Sequence, residues 1–405
     1  MKNKIKKIIS NKRNIIIIFV LLALASSIQS LTSGTRAYHK GGIEYNKYNN
    51  YTIFEKSFQH LKNDKDLYVA YPEEHWDLYK YTPTFSAFFG LFAIFPDWIG
   101  LNLWSLLNAL ILVLAIYYLP KLNNLQKGII LLIVLIELMT SMQNEQSNGL
   151  ITGLIVLAFG LLENKKFLFA TLCIVFAAYI KLFGIVGFAL FLFYPKKWKL
   201  ALYSFLWATL LFLIPLLFVN INQYEKLFQS YWNLLANDHS KSYGFSVMGW
   251  LNSWFNIAIN KSIVVFSGMV LFLLPLFRLK EYKNYEFRLL ALTSILIWVV
   301  IFNHMAESPT FIIAMTGVSL WFVSSEKSTL NITLFIGAFI LTVLSPTDIF
   351  PRLLRDEFVK PYNLKVFPCI LIWIKIIYDM IVLNKDKIPN VKSTIRFGKE
   401  IKNIG

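Results

Sequence analysis

Long apolar stretches separated by short polar turns occupy most of this chain. A low-charge run of about 18 residues or more can cross a bilayer as a helix, and runs of about 14 residues predict tilted or broken helices. The pattern predicts an all-α polytopic membrane protein with a bundle of about 12 transmembrane helices, roughly 10 to 13 being compatible with the run lengths. The predicted spans lie at residues 14–31, 101–119, 128–142, 149–162, 166–180, 183–195, 199–219, 262–278, 288–303, 309–324, 329–345 and 366–383.

One large polar insertion, residues 32–100, separates the first two spans. It is rich in carboxylates and aromatic residues, and it contains the short apolar run 85–95, which Pro96 closes. A run of that length predicts an interfacial or re-entrant helix. We therefore predict a single integral membrane domain, residues 1–383, with a helical first extracytoplasmic loop, and a basic cytoplasmic tail at residues 384–405.

Composition and charge support this topology. Hydrophobic residues make up 56% of the chain, more than a soluble core can enclose. The loops on the side of the N-terminus carry a clear excess of lysine and arginine, which is typical of cytoplasmic loops, so the net charge of +17 does not indicate a nucleic-acid partner. The protein is expected in the cell membrane, with both termini on the cytoplasmic side. A signal peptide cleaved near Ala23-Leu24-Ala25 is the rival interpretation of the first span.

A dense polar turn lies between two predicted spans at residues 139–150. Glu137, Ser141, Asn144 and Asn148 follow the spacing i, i+4, i+7 and i+11, which would place them on one helix face. A carboxylate inside a span costs about 2.5–3.5 kcal/mol and normally faces a partner or a wet cavity. The alternative is a polar seam that locks two helices together. The residues expected to contact substrate here are Gln143, Asn144, Gln146 and Asn148.

Three basic or acidic positions at predicted outer turns could meet an anionic substrate. Lys181 lies between two apolar runs, where it could hold a phosphate as a point charge or extend to the interface without a chemical role. Asp348 and Arg352 lie in the last outer loop, where arginine could hold a phosphate unless nearby acids neutralise it. In the final span, Lys375 and Asp379 at i and i+4 predict a structural ion pair.

His304 and Glu307 lie three residues apart at a predicted outer helix end. A histidine–carboxylate pair at this spacing can orient a proton acceptor or contact a phosphate oxygen. An ordinary helix start at Ser308-Pro309 explains Glu307 as well. Too few further ligands lie nearby in sequence to predict a metal site.

Several motifs occur in a characteristic order. They are NNYTIFEKSFQHLKNDKDLY, YKYTPTFSAFFGLFAIFPD, LWSLLNAL, NEQSNGLI, YIKLFGI and ESPTF. This order resembles the C-type membrane glycosyltransferases, and more narrowly glycosyltransferase family 87. The resemblance implies a mannose-like hexosyltransferase that uses a polyprenyl-phosphate sugar, inverts the anomeric centre and needs no separate cofactor. The donor would be lipid-linked, and the acceptor a glycolipid or polysaccharide on the extracytoplasmic side.

The chain departs from the family pattern at the catalytic position. Asn50 stands where the resemblance implies an aspartate base, and an amide cannot accept the proton. We therefore expect another acid to serve, with Asp77 first, then Glu55 and Glu307, and with His304 as a replacement for a family histidine. By the same resemblance, we expect three residues to bind substrate, namely Asn50, Lys80 and Tyr81.

Two other interpretations stay open at the level of sequence. The chain could be a transporter or flippase of a lipid-linked sugar, although no repeated halves are visible. It could also be a catalytically inactive relative, given Asn50. The chain is rich in lysine, asparagine, isoleucine and phenylalanine, which is typical of an AT-rich bacterial genome.

Overall fold

The computed structural model describes residues 2–38, 42–237, 242–257 and 260–382. Within these ranges the regular secondary structure is helical apart from one antiparallel hairpin, in which β1 (Thr35–Ala37) pairs with β2 (Glu44–Asn46). The prediction of a helical membrane protein is confirmed at this level. The predicted basic tail, residues 384–405, lies outside the described residues.

Helices cover the predicted apolar runs, and further helices lie between them. In the first half they are α1 (Lys2–Ser10), α2 (Lys12–Thr32), α3 (Asn49–Lys62), α4 (Pro83–Ala93), α5 (Asp97–Tyr118), α6 (Asn124–Gln143), α7 (Asn148–Glu163), α8 (Phe167–Ile180) and a 3₁₀ helix, Leu182–Phe193. The later α-helices are α9 (Lys197–Leu213), α10 (Ile221–Asn237), α11 (Val247–Phe255), α12 (Lys261–Leu273), α13 (Tyr285–Ile301), α14 (Phe311–Ser324), α15 (Thr329–Ala338), α16 (Arg352–Leu354) and α17 (Phe367–Val382). Shorter 3₁₀ segments occur at Ile214–Leu217, Leu274–Phe277, Leu279–Lys283 and Ser308–Thr310, and π-helical segments at Phe339–Leu344 and Arg355–Val359.

The length and apolar composition of a helix decide whether it can cross a membrane. Among the described residues, four helices are long and apolar enough to do so, and several shorter apolar helices accompany them. The predicted number of about 12 spans therefore stays a prediction, although each predicted run coincides with a helix or with consecutive helical segments. The four long helices are Lys12–Thr32, Asp97–Tyr118, Asn124–Gln143 and Lys197–Leu217.

The large loop folds around an aromatic core. Phe54 of α3 meets Phe85 and Phe89 of α4 edge-on, with ring centroids 5.2 Å apart in both cases. Trp104 of α5 closes the group at 5.2 Å from Phe89. Edge-to-face contacts of this kind add about 0.5–1.5 kcal/mol beyond area burial. Most residues of α4 are consequently buried in protein, which disagrees with the interfacial alternative of the sequence prediction and leaves the re-entrant alternative open.

Close helix packing positions the turns at one end of the helices. Helix α5 packs against α7, and α7 packs against α8 and α14. A Cβ on Gly153 of α7 would lie 2.8 Å from the Ile111 side chain and 2.9 Å from the backbone of α5, so these helices approach as closely as glycine allows. This approach brings the start of α7 beside the end of α6, the end of α8 and the start of α3.

Candidate active site

A polar turn, residues 144–147, joins α6 to α7 and forms the centre of the candidate site. The amides of Glu145 and Gln146 donate to carbonyls in the last turn of α6 at 3.0 Å. Glu145 has a φ of 48°, a left-handed conformation that costs a non-glycine residue about 1–3 kcal/mol. The turn ends α6, so the prediction of one helix face from Glu137 to Asn148 is wrong, because Asn148 opens α7 instead.

Lys181 is held against this turn by two side-chain amides. Its Nζ donates to Gln146 Oε1 at 2.9 Å and to Asn148 Oδ1 at 3.2 Å. The ammonium lies 5.3 Å from the centroid of the Tyr81 ring, and the Tyr81 hydroxyl donates to Gln146 Oε1 at 3.4 Å. These four residues, predicted from separate segments to bind substrate, are therefore joined by contacts of Lys181 and Gln146. We refer to Lys181, Gln146, Asn148 and Tyr81 as the lysine cluster.

The charge of Lys181 is not neutralised by a carboxylate among the described residues, since its hydrogen-bond acceptors are amide oxygens. A half-buried ammonium held by neutral acceptors keeps its attraction for an anion such as phosphate. A tight turn fixes its position. The Gly184 amide donates to the Lys181 carbonyl at 2.8 Å, and a Cβ on Gly184 would lie 2.5 Å from the carbonyl carbon of Ala177.

A buried ion pair supports the lysine cluster. Lys365 Nζ lies 2.9 Å from Glu137 Oε1, and both side chains are almost fully buried. Lys365 also donates to Ser308 Oγ at 2.8 Å, and the neighbouring Pro309 carbonyl accepts from Asn148 Nδ2 at 3.0 Å. Glu137 therefore has the partner that a carboxylate in a span requires. Its contacts match the polar-seam interpretation, in which such groups lock helices together.

A small polar cavity of about 240 Å³ borders the turn at Asn144 and Glu145. Asn50, in the first turn of α3, donates from Nδ2 to the Asn144 carbonyl at 2.9 Å and so joins α3 to the turn. Three predicted substrate residues, Asn50, Gln143 and Asn144, line this cavity. Its lining residues are Gln29, Ser30, Ser33, Arg36, Tyr38, Lys47, Asn49, Asn50, Gln143, Asn144 and Glu145.

Glu145 is the carboxylic acid among the lining residues of this cavity, and its pKa is strongly raised. The residue is 1% exposed, and its Oε1 accepts a hydrogen bond from Ser30 Oγ at 2.8 Å. Burial raises the pKa of the Glu145 carboxyl to about 8, and the Ser30 hydrogen bond opposes this rise. Trp104 Nε1 donates to the Glu145 carbonyl at 2.8 Å and holds the backbone. A carboxyl of this kind exchanges a proton near neutral pH, as general acids and bases do.

The cavity wall is tied to the segment that carries Asp77. Asn49 accepts from the Trp76 amide at 2.9 Å and donates to the Trp76 carbonyl at 2.7 Å. The Trp76 ring stacks on Tyr38 with centroids 5.2 Å apart. Burial is the main cause that raises the pKa of Tyr38, and the carboxylates of Glu145 and Asp77 add to it. Tyr38 is therefore within electrostatic range of both acids.

The carboxylates predicted to be catalytic do not contact the lysine cluster. The Asp77 side chain is 54% exposed and pairs with Lys80 at 3.2 Å. Glu55 on α3 accepts from Gln59 Nε2 at 2.5 Å, and burial raises its pKa. Glu307 is exposed where the 3₁₀ segment Ser308–Thr310 begins. Their catalytic roles stay predictions, as does substrate binding by Lys80.

The remaining predicted residues lie in the loops after α13 and before α17. His304 is partly buried, and its carbonyl would lie 2.6 Å from a Cβ on Gly244. Asp348 is exposed and pairs with Arg355 at 3.3 Å, while Arg352 is exposed at the start of α16. No hydrogen bond joins Asp348 or Arg352 to the lysine cluster in the described ranges. Their participation in a phosphate site stays a prediction.

Two residues emerge from the structure that sequence reasoning did not select. Glu145 lies within the polar turn, but nothing in the sequence distinguishes its burial from that of its neighbours. Lys365 lies two residues before α17, and the sequence points to it only indirectly, because Glu137 within a span demands a cationic partner. Among the described residues, no group of three or more histidine, cysteine, aspartate or glutamate side chains could hold a metal ion.

Comparison with protein families assigns this helical chain to a known class of membrane enzyme. The model of glycosyltransferase family 87 matches residues 79–302, more than half of the 405-residue chain. The protein belongs to glycosyltransferase family 87. A search among curated proteins finds no match. The matched segment contains the whole lysine cluster, whereas Asn50 precedes it and Glu307 follows it.

Proposed function

We propose that this glycosyltransferase moves a mannose-like hexose from a polyprenyl-phosphate donor to a lipid or surface-glycan acceptor on the extracytoplasmic side of the membrane. The observation that carries the proposal is Lys181, an ammonium held by amide oxygens at 2.9 and 3.2 Å and paired with no carboxylate among the described residues. It lies at the end of α8, a short apolar helix. A phosphate attached to a membrane lipid would meet the protein at this level.

The reaction requires two changes of bonding at the sugar. The acceptor oxygen forms a bond to the anomeric carbon, and the bond from that carbon to the phosphate oxygen breaks. Polyprenyl phosphate leaves with the electron pair, while the acceptor hydroxyl gives its proton to a base. Attack opposite the phosphate inverts the anomeric centre. Because the donor carries an activated sugar, the proposal includes no cofactor.

Lys181 would stabilise the negative charge that grows on the leaving phosphate. Fixed charges aimed at a developing charge are often the largest single contribution to catalysis. The ammonium needs no carboxylate to be displaced before it meets the phosphate, because Gln146 and Asn148 are neutral. Tyr81, whose ring lies 5.3 Å from the ammonium, would provide an aromatic wall for the sugar.

Glu145 is our candidate for the proton acceptor. It lines the cavity together with Asn50, which by family resemblance stands at the position of the missing aspartate. A base whose pKa lies near the working pH is well matched to proton transfer, and burial raises the pKa of Glu145 to about 8. Asp77, the first candidate from the sequence, lies within electrostatic range of Tyr38 in the same wall.

Transfer from radiolabelled polyprenyl-phosphate hexose in membranes tests this proposal. We expect Lys181→Met to lose transfer by about 10²-fold or more, since one preorganised group of this type contributes about 10²–10³. Lys62→Met, an exposed lysine on α3, is the matched control and keeps full activity. Glu145→Gln and Asp77→Asn, compared at equal expression, assign the base. Unchanged transfer by Lys181→Met, with wild-type activity present, overturns the proposal.

Asn50 favours one other candidate function, a family member that has lost transfer. Its amide bonds the Asn144 carbonyl at 2.9 Å and therefore serves a structural contact in the cavity. An inactive relative would bind the lipid-linked donor in a Lys181-dependent manner but form no product with any acceptor fraction. Product formation by the wild-type protein removes this candidate.

A further inference from the structure

The end of the bundle opposite the candidate active site carries a second and larger cavity of about 1190 Å³. It is lined where α7 ends and α8 begins, and also by the segments that precede α9 and α13. Helix α7 has 16 residues, and at a rise of 1.5 Å per residue it separates this cavity from the polar turn by about 24 Å. The two sites therefore lie near opposite faces of a membrane.

The cavity is strongly basic. Its lining includes six exposed lysines, and within the described residues none of them forms an ion pair with a carboxylate. The Lys166 ammonium lies 5.6 Å from the centroid of the Tyr118 ring, a contact that leaves its charge in place. These residues, which we call the basic rim, are Lys165, Lys166, Lys196, Lys197, Lys199 and Lys283.

The carboxylate among the lining residues does not offset this charge. Glu163 accepts from Arg288 Nε at 2.6 Å and from Arg288 Nη2 at 2.8 Å, a bidentate pair. Tyr194 also donates its hydroxyl to Glu163 at 2.6 Å. Glu163 and Arg288 thus neutralise each other, and the six lysines leave the cavity with a net positive charge.

Other parts of the cavity lining are apolar and exposed. Phe169, Leu192 and Leu279 line the cavity, and each is an exposed large hydrophobic residue. Trp198, between Lys197 and Lys199, is 72% exposed. Tryptophan beside lysines is typical of the level where a bilayer meets water. Cations beside exposed apolar residues match an amphiphile that carries a negative head and hydrocarbon chains. A free nucleotide or phosphate has no hydrocarbon chain that could pack against those residues.

We propose that this cavity binds an anionic phospholipid of the leaflet opposite the active site, with its phosphate at the basic rim and its acyl chains against Phe169, Leu192 and Leu279. Basic pockets between membrane helices on the cytoplasmic side bind phosphate head groups in this way. The positive side of a membrane protein faces the cytoplasm. The site is separate from the proposed sugar-transfer site, and its failure would leave that proposal unaffected.

Native mass spectrometry of the purified full-length protein, in mixed micelles of phosphatidylglycerol and phosphatidylcholine, tests the proposal. We expect the wild-type protein to retain phosphatidylglycerol in preference to phosphatidylcholine. Lys196→Gln/Lys197→Gln should weaken this retention by about tenfold or more, since each lysine near an anionic head contributes roughly a fivefold factor. Lys196→Arg/Lys197→Arg should restore it. The matched control is Lys4→Gln/Lys7→Gln, which removes the same charge from exposed positions on α1.

Three results would overturn the inference. Equal retention of the two lipids by the wild-type protein does so whatever the variants do. Equal loss in the α1 control would mean that total charge alone draws the lipid. Displacement of the lipid by millimolar inorganic phosphate would assign the cavity to a soluble anion. Unfolding temperatures measured in phosphatidylcholine alone identify a variant that has lost its fold. For such a variant, the preference of the wild-type protein for phosphatidylglycerol over phosphatidylcholine decides whether the inference holds.

Discussion

The Lys181 ammonium lies 2.9 Å from Gln146 Oε1, although 35 positions separate the two residues in sequence. The contact joins the end of α8 to the turn before α7 and holds a cation between neutral acceptors. A purely structural lysine at such a place normally pairs with a carboxylate. The neutral partner keeps the ammonium available for an anionic substrate, and this relationship leads to the first prediction.

Gln146→Glu should impair donor binding. The new carboxylate has nearly the shape of the amide and would form an ion pair with Lys181, so the donor phosphate would have to displace it. We expect the KM for the polyprenyl-phosphate donor to rise by about tenfold or more, with a smaller change in kcat. Steady-state transfer in nanodiscs measures both constants. Gln229→Glu, at an exposed position on α10, is the control and leaves KM unchanged; an unchanged KM in Gln146→Glu contradicts the assignment.

The pH dependence of stability should report on Glu145. Its folded pKa of about 8 lies above the ordinary value of 4.5, so between these values the folded state binds the proton more tightly than the unfolded state. Stability therefore falls as pH rises from about 4.5 to about 8. Glu145→Gln removes this contribution and should flatten the decline of the unfolding temperature between pH 5 and 8. Glu357→Gln, exposed before α17, should keep the wild-type slope. Identical slopes in all three proteins would contradict a raised pKa of Glu145.

Breaking the Glu137–Lys365 pair should destabilise the fold. Removing one partner leaves a buried charge uncompensated, which typically costs about 3–5 kcal/mol. We expect Glu137→Gln and Lys365→Met each to lower the free energy of unfolding by roughly that amount, and the double variant to lose much less than their sum. Unfolding titrations in detergent measure the cycle. Lys360→Met, at the exposed pair with Asp356, should leave the stability nearly unchanged; additive losses at Glu137 and Lys365 would contradict the coupling.

Gly184→Ala should disturb the turn that positions Lys181. The added Cβ would lie 2.5–2.7 Å from the backbone of Ala177 and the following amide nitrogen, atoms that cannot rotate away. Such overpacking typically costs about 1–3 kcal/mol. We expect lower stability together with reduced transfer. Gly337→Ala on α15 is a control with open space around the new Cβ, where alanine is neutral or stabilising by up to about 1 kcal/mol. Equal behaviour of the two variants would argue against the turn.

Much of the helical architecture could be predicted because each long apolar run in the sequence corresponds to a helix or to consecutive helical segments. The Lys375–Asp379 pair was also predicted and is confirmed, since i,i+4 spacing brings side chains together on any helix. The β1–β2 hairpin and the burial of α4 were not predicted. The hairpin strands have three residues each, too few for a visible alternation, and the burial of α4 depends on aromatic partners in α3 and α5.

The residues of the lysine cluster could be selected from the sequence, whereas their contacts could not, and their roles in substrate binding stay predictions. Lys181, Gln146 and Asn148 stood out because polar groups at helix ends are hard to explain by packing. The burial of Glu145 arises from neighbours on α2 and α5, more than forty positions away in sequence, and Lys365 meets Glu137 across 228 positions. No local pattern encodes such distances, since the register of packed helices sets them.

Direct binding of the donor tests the central claim. Fluorescent polyprenyl-phosphate hexose should be titrated into purified protein in nanodiscs of neutral lipid, with wild type, Lys181→Met and the Lys62→Met control side by side. We expect Lys181→Met to bind at least about tenfold more weakly, since a charge-assisted hydrogen bond contributes about 1.5–3 kcal/mol. Lys62→Met should bind like wild type. Equal donor affinity in Lys181→Met and wild type would contradict the account.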